Sequence, residues 1–217
     1  MLRGRGLASS ICGLLLAAAP VDVTWAAGGY MDGLQALALL QTLNAELLSH
    51  DSATATLQAW CDGHGGKGQK IKADRVNGQD KPPSEAAKAA LGLKPSQTAR
   101  YRRVRLSCGD QVLSEADNWY LPERLTPEMN RVLDTSDTPF GVVARPLDFH
   151  RRTLSARLLY HPLSEGWETH PADDADPPPI PAEVLQHSAV LATPAGNPLA
   201  FVVETYTGGV LKMALPR

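Results

Sequence analysis

Two β-like runs, Tyr101 to Cys108 and Gln111 to Tyr120, are separated only by Gly109-Asp110. So short a connection commits its flanks to an antiparallel hairpin, because the positive φ that glycine allows matches the twist of paired strands. That hairpin constrains the rest of the chain. Ahead of it the periodicity is helical; behind it come short helices and further alternating strands. Helices gathered beside antiparallel strands make an α+β domain. The expectation is one domain, an antiparallel sheet with flanking helices, over residues 27–217.

Local signals place the elements. Asp32 opens a helix running to about Leu48, with Leu34, Leu37, Leu40, Leu43 and Leu47 on one apolar face. Asp51-Ser52 restarts a helix to about Cys61. The glycine-rich stretch 62–68 has neither the order of a phosphate loop nor a strand before it, and reads as a flexible connection. Gln69 to Val76 alternates as a strand, and Ser84 caps a helix that ends at Gly92. Thr126-Pro127-Glu128 opens a short helix, and Asp137 to Gly141 leads into a helical turn. Leu147 to Tyr160 alternates and carries the cationic segment His150-Arg151-Arg152. A last hairpin joins Ser188–Thr193 to Leu199–Thr205 across Pro194-Ala195-Gly196-Asn197. The acidic, proline-rich stretch 164–181 reads as a flexible surface loop.

Residues 1–26 read as a signal peptide: Arg3 and Arg5, an apolar run from Leu7 to Pro20, and small residues in Thr24-Trp25-Ala26. The expected location is periplasmic or secreted, with no membrane attachment after cleavage. A buried N-terminal helix is the alternative, as is a product starting at Met31. The formal charge is −2 over the whole chain. A weakly acidic domain lacks the basic footprint of a nucleic-acid binder. Of the three cysteines, Cys12 lies in the signal, leaving Cys61 and Cys108. An oxidising compartment permits a disulfide between them; two buried thiols are the other reading. Scattered histidines and the lack of a CxxC pattern predict no metal site.

Three places carry candidate chemistry. In Tyr101-Arg102-Arg103-Val104-Arg105-Leu106, alternation puts Tyr101, Arg103 and Arg105 on one face and Arg102, Val104 and Leu106 on the other. Arg103 is a candidate carboxylate clamp, or else part of a solvated face. Glu204 ends the apolar run Leu199 to Val203, as a pocket group or as the strand's exit into water. Phe140 and Gly141 sit in a tight turn after Thr138-Pro139.

These motifs, in this order, resemble those of the chorismate lyase family and, more distantly, the effector-binding domains of GntR-type regulators. The resemblance spans roughly Leu47 to Tyr206. It rests on Leu47-Leu48 before a capped helix, the spacing from Tyr101 and Arg103 to Cys108, Thr138-Pro139-Phe140-Gly141, and Gly196-Asn197-Pro198-Leu199 leading to Glu204. It implies that Arg103 holds a ring carboxylate and that Glu204 faces the ring oxygen. It further implies that Phe140, Gly141 and Ala53 line the pocket, with no cofactor. Three functions follow as expectations. One is a lyase converting chorismate to 4-hydroxybenzoate and pyruvate, with Glu204 catalytic. Another is an exported, non-catalytic binding protein for small aromatic carboxylates. The last is a structural domain with a vestigial pocket. A monomer is expected in each case.

Overall fold

The structure, a computed structural model, describes residues 29–78, 80–169 and 177–215. The signal peptide expected over residues 1–26 lies outside them. Helix α1 (Gly29–Ser49) and α2 (Ala53–Gly63) come first, followed by β1 (Ile71–Arg75) and α3 (Glu85–Leu91). Then come β2 (Arg100–Cys108), β3 (Gln111–Tyr120), α4 (Pro127–Thr135) and α5 (Phe140–Val143). Strands β4 (His150–Leu158), β5 (Glu183–Ala192) and β6 (Pro198–Thr207) lead to α6 (Gly209–Ala214). The strands form one six-stranded sheet in the order β1-β2-β3-β6-β5-β4, every pair antiparallel. This is the α+β fold, with flanking helices, that the sequence predicts.

The caps act where the sequence places them. Ser52, Ser84 and Thr126 each accept a bond from a backbone N–H in the first turn of α2, α3 and α4, and Gly92 closes α3 with φ 61°. Gly109 turns the β2–β3 hairpin with φ 55°. Helix α1 starts earlier than expected, so Asp32 lies in its first turn, where a carboxylate favours the exposed N–H groups. Its buried stripe is Gly33, Ala36, Leu40, Leu43 and Leu47, the small residues replacing Leu34 and Leu37 where Leu163 presses in.

The sheet has two unlike faces. On one, α1, α2 and α6 pack over Val104, Leu106, Leu185 and Tyr206. Further along the same face, α4 and α5 pack over Tyr120, Ala189, Leu191 and Val202. On the reverse, α3 packs over a smaller cluster that includes Trp119, Val190 and Phe201. A seam is thus left between the two apolar clusters of the first face.

Cys61 and Cys108 form a disulfide that ties α2 to the end of β2. Gly66 sits against it; a Cβ there would lie 2.4 Å and 2.5 Å from the two sulfurs. The glycine-rich stretch is therefore an ordered turn, with the Gly66 N–H donating to the Cys61 carbonyl at 2.9 Å, and not the flexible connection expected from composition. The far end of the 164–181 stretch is also fastened, Tyr160 donating to the Pro178 carbonyl at 2.7 Å. Residues 170–176 lie outside the described ones. The disulfide closes a long loop, so Cys61→Ser with Cys108→Ser is expected to lower stability by about 4 kcal/mol through the freed unfolded chain. Urea denaturation of the oxidised and double-serine proteins measures this; equal midpoints would contradict it.

Candidate functional site

The seam is a pocket. Its floor is the sheet and its walls are the start of α2 and the Pro139-Phe140-Gly141 turn. Apolar residues dominate, among them Val104, Leu106, Phe140, Phe149, Leu191 and Val202. Into this surroundings reach four polar side chains from four strands: Arg102 (β2), Asn118 (β3), Glu204 (β6) and Arg151 (β4). Register explains their meeting. Arg102 pairs with Asn118, Asn118 with Val202, and Arg151 with Leu191, and all of these point to one face.

Glu204, Phe140, Gly141 and Ala53 all line this pocket, and Arg103 does not. Arg103 lies on the reverse face, paired with Glu115 and 3.9 Å from Asp117. Arg105 shares Glu115 at 2.7 Å. Arg103, expected as a carboxylate clamp, thus lies outside this pocket, and the arginine of β2 that enters it is Arg102, one residue earlier. The physical reason is parity: Cys108, disulfide-bonded to α2, faces the helices, and positions 102, 104 and 106 face the same way. Val104 and Leu106 carried that signal in the sequence, since an arginine alternating with apolar residues is the buried one. Arg151 was missed because the segment around it reads as a run of surface charge.

Arg102 is 2% exposed. One nitrogen donates to the Ser136 carbonyl at 2.7 Å, while Nε and Nη1 are buried and have no partner among the described residues. Burial, foremost, and the nearby Arg75 cation both pull its pKa below the ordinary arginine value. Arg151 differs. Its side chain is 4% exposed and donates to Glu204, itself 13% exposed, at 2.6 Å. Burial opposes the charge of Arg151 most strongly, but Glu204, Tyr206 and Asp51 together outweigh it and the net effect raises the pKa. The Tyr206 hydroxyl donates to the same Glu204 oxygen at 3.1 Å. Burial, then Glu204, holds the Tyr206 phenol well above its usual pKa, so it remains a donor. Asp51 clasps the rim by accepting from the Arg151 backbone N–H at 2.7 Å, its side chain 56% exposed.

The buried charges therefore do not cancel. Glu204 answers Arg151; among the described residues no carboxylate pairs with Arg102. The strands bearing Arg102 and Glu204 are two spacings apart, about 10 Å, with both side chains reaching inward. That span suits one ring with an anionic group at the Arg102 end and a hydrogen-bond donor at the Glu204 end. Among the described residues no cluster of His, Cys, Asp and Glu could hold a metal ion.

Beneath Glu204 on the neighbouring strand is His187, fully buried. Its Nε2 meets the Asn44 amide oxygen at 2.8 Å, and its ring packs edge-on against Tyr206. Burial, and then the Arg151 cation, lower its pKa to about 4. The unfolded chain therefore binds this proton first. Stability is fully present above about pH 6.5 and falls as the pH drops towards 4, by an amount on the order of 3 kcal/mol. His187→Gln should flatten that part of the pH–stability curve; an unchanged slope would assign it to other groups.

No protein-family model matches the chain. Solved structures resembling it include the possible transcriptional regulator YydK from Bacillus subtilis, 14% identical over 64% of this chain and 58% of that one, TM-score 0.38. PhnF from Mycobacterium smegmatis is 13% identical over 73% of this chain and 64% of that one, TM-score 0.49. A GntR-family transcriptional regulator from Enterococcus faecalis is 13% identical over 64% and 90%, TM-score 0.36. The chain spans less than two thirds of YydK and of PhnF, at 58% and 64%. At these identities and TM-scores the likeness assigns neither ligand nor activity. The uncharacterized protein y4mC from Sinorhizobium fredii is 48% identical over 194 residues, 87% of this chain and 82% of that one. The chain belongs to the same family as y4mC.

Proposed function

We propose that the protein binds a small aromatic monocarboxylate in the seam pocket without transforming it. The observation that carries this reading is Arg102, a buried cation with two donor nitrogens that have no partner among the described residues, beside an apolar cavity. A carboxylate can take one of these donors together with the remaining Nη2 hydrogen, along one edge of the guanidinium, in a fork of matching geometry. Phe140, Phe149 and Val202 suit an aromatic ring. Glu204, already accepting from Arg151 and Tyr206, offers its remaining lone pairs to a ligand hydroxyl.

Turnover of chorismate is the second reading, favoured by the motif resemblance to chorismate lyase. A glutamate already accepting hydrogen bonds from an arginine and a tyrosine is placed as an acceptor, which supports binding over general-acid catalysis. Incubating the protein with chorismate and analysing the products separates the two. Binding with no 4-hydroxybenzoate released is expected; release of 4-hydroxybenzoate and pyruvate would establish the lyase.

We also propose that the mature chain is exported. Support comes from the n-region, the apolar run and Thr24-Trp25-Ala26, together with a disulfide of the kind that persists in oxidising compartments. N-terminal sequencing from the native cell should begin near Ala27; retention of residues 1–26 would contradict it.

A further inference from the structure

Arg102 is a wall of two cavities. Besides the seam pocket it lines a surface cleft bounded by Arg75, Arg100, Tyr101, Tyr120 and Asp134. Tyr120, 2% exposed, stacks at 5.6 Å on Phe140, which is the pocket's own wall. Arg102 and the Tyr120–Phe140 ring pair thus link the linings of the two cavities.

The cleft is built to attract anions. Arg75 and Arg102 share a peculiarity: neither takes part in a salt bridge among the described residues. Instead each donates to a backbone carbonyl at the C-terminal end of α4, Arg75 to Asp134 at 2.8 Å and Arg102 to Ser136 at 2.7 Å. The negative end of a helix holds cations without neutralising them. Arg100, at the mouth, is half exposed and paired with Asp134 at 2.6 Å. Arg75 is exposed, Arg102 is buried, and the two are close enough to repel. The cleft lining carries four cations, Arg75, Lys81, Arg100 and Arg102, against two carboxylates, Asp80 and Asp134, on a protein whose formal net charge is −2.

We propose that this cleft is the entry vestibule for the carboxylate ligand, with Arg75 and Arg100 drawing the anion in and Arg102 passing it to the pocket. The inference rests on the reading of the pocket as a carboxylate site. An exposed steering charge acts on the association rate and its salt dependence, whereas a buried partner acts on dissociation. The test is stopped-flow binding of 4-hydroxybenzoate at several ionic strengths to wild type, Arg75→Gln, Arg100→Gln and Arg131→Gln. Arg131 is an equally charged control, 66% exposed on α4 and paired with Glu128. Arg75→Gln and Arg100→Gln should each lower the association rate constant several-fold and flatten its salt dependence, leaving dissociation within about twofold and the control at the wild-type rate. Arg100→Gln keeps the test decisive if Arg75→Gln fails to fold. Unchanged association in both cleft variants would overturn the vestibule, as would an effect confined to dissociation or one equally large in the control. Absence of binding by the wild type would instead overturn the carboxylate reading itself, and the vestibule with it.

Discussion

Arg102→Met is expected to abolish carboxylate binding while making the free protein more stable. The two effects share a cause. In the unliganded protein Arg102 is 2% exposed, and two of its nitrogens have no partner among the described residues. Buried unsatisfied donors cost about 1–3 kcal/mol, more when charged. Methionine fills similar length without polar atoms, so relieving that cost should exceed the loss of the single bond to Ser136, for a net gain of about 1 kcal/mol or more. With ligand present the balance reverses. Losing a charge-assisted pair in a desolvated pocket removes about 2–5 kcal/mol, at least a thirtyfold loss in affinity. Calorimetric titration and thermal unfolding of the same samples read both signs. Arg103→Ala should leave affinity within about twofold, since pairs on a solvated face contribute about 0–1 kcal/mol and lie across the sheet. A destabilised Arg102→Met protein would mean that the guanidinium is satisfied in the free state.

Arg151→Ala should destabilise the fold more than any other single change at the site. It strips a cation from Glu204, whose side chain is only 13% exposed, and leaves a buried carboxylate with Tyr206 as its one remaining donor among the described residues. Breaking such a pair from one side costs about 3–5 kcal/mol. Replacing both partners, Arg151→Met with Glu204→Leu, should recover most of that loss, because apolar residues of similar volume carry no desolvation cost. Urea denaturation of the single and double variants measures the difference. A double variant as unstable as Arg151→Ala would show that shape, not charge, is at stake in this corner of the pocket.

Most of the scaffold was legible because its signals are local. Ser52, Ser84 and Thr126 cap the helices they precede, and Gly109 turns the hairpin, for reasons contained within a few residues. The site was legible only in part because it is set by register across four strands. Glu204, Phe140, Gly141 and Ala53 line the pocket. Arg103 does not, since one step along a strand exchanges faces, and motif spacing to Cys108 says nothing of which face is covered. The disulfide settles that question by fixing Cys108 towards α2. Arg151 needed the pairing of β4 with β5 before its neighbours could be known. The ordered glycine turn was hidden for a similar reason: its partner, Cys108, is more than forty residues away in the chain.

We propose above all that Arg102 reads the negative charge of a small aromatic ligand. Calorimetric titration with 4-hydroxybenzoate and with its neutral isostere 4-hydroxybenzamide tests it most directly, because ring, hydroxyl and size are held constant. The acid should bind one to one, and the amide at least about thirtyfold more weakly, the loss of a charge-assisted pair. Equal affinity for acid and amide, or binding of neither, would contradict the claim.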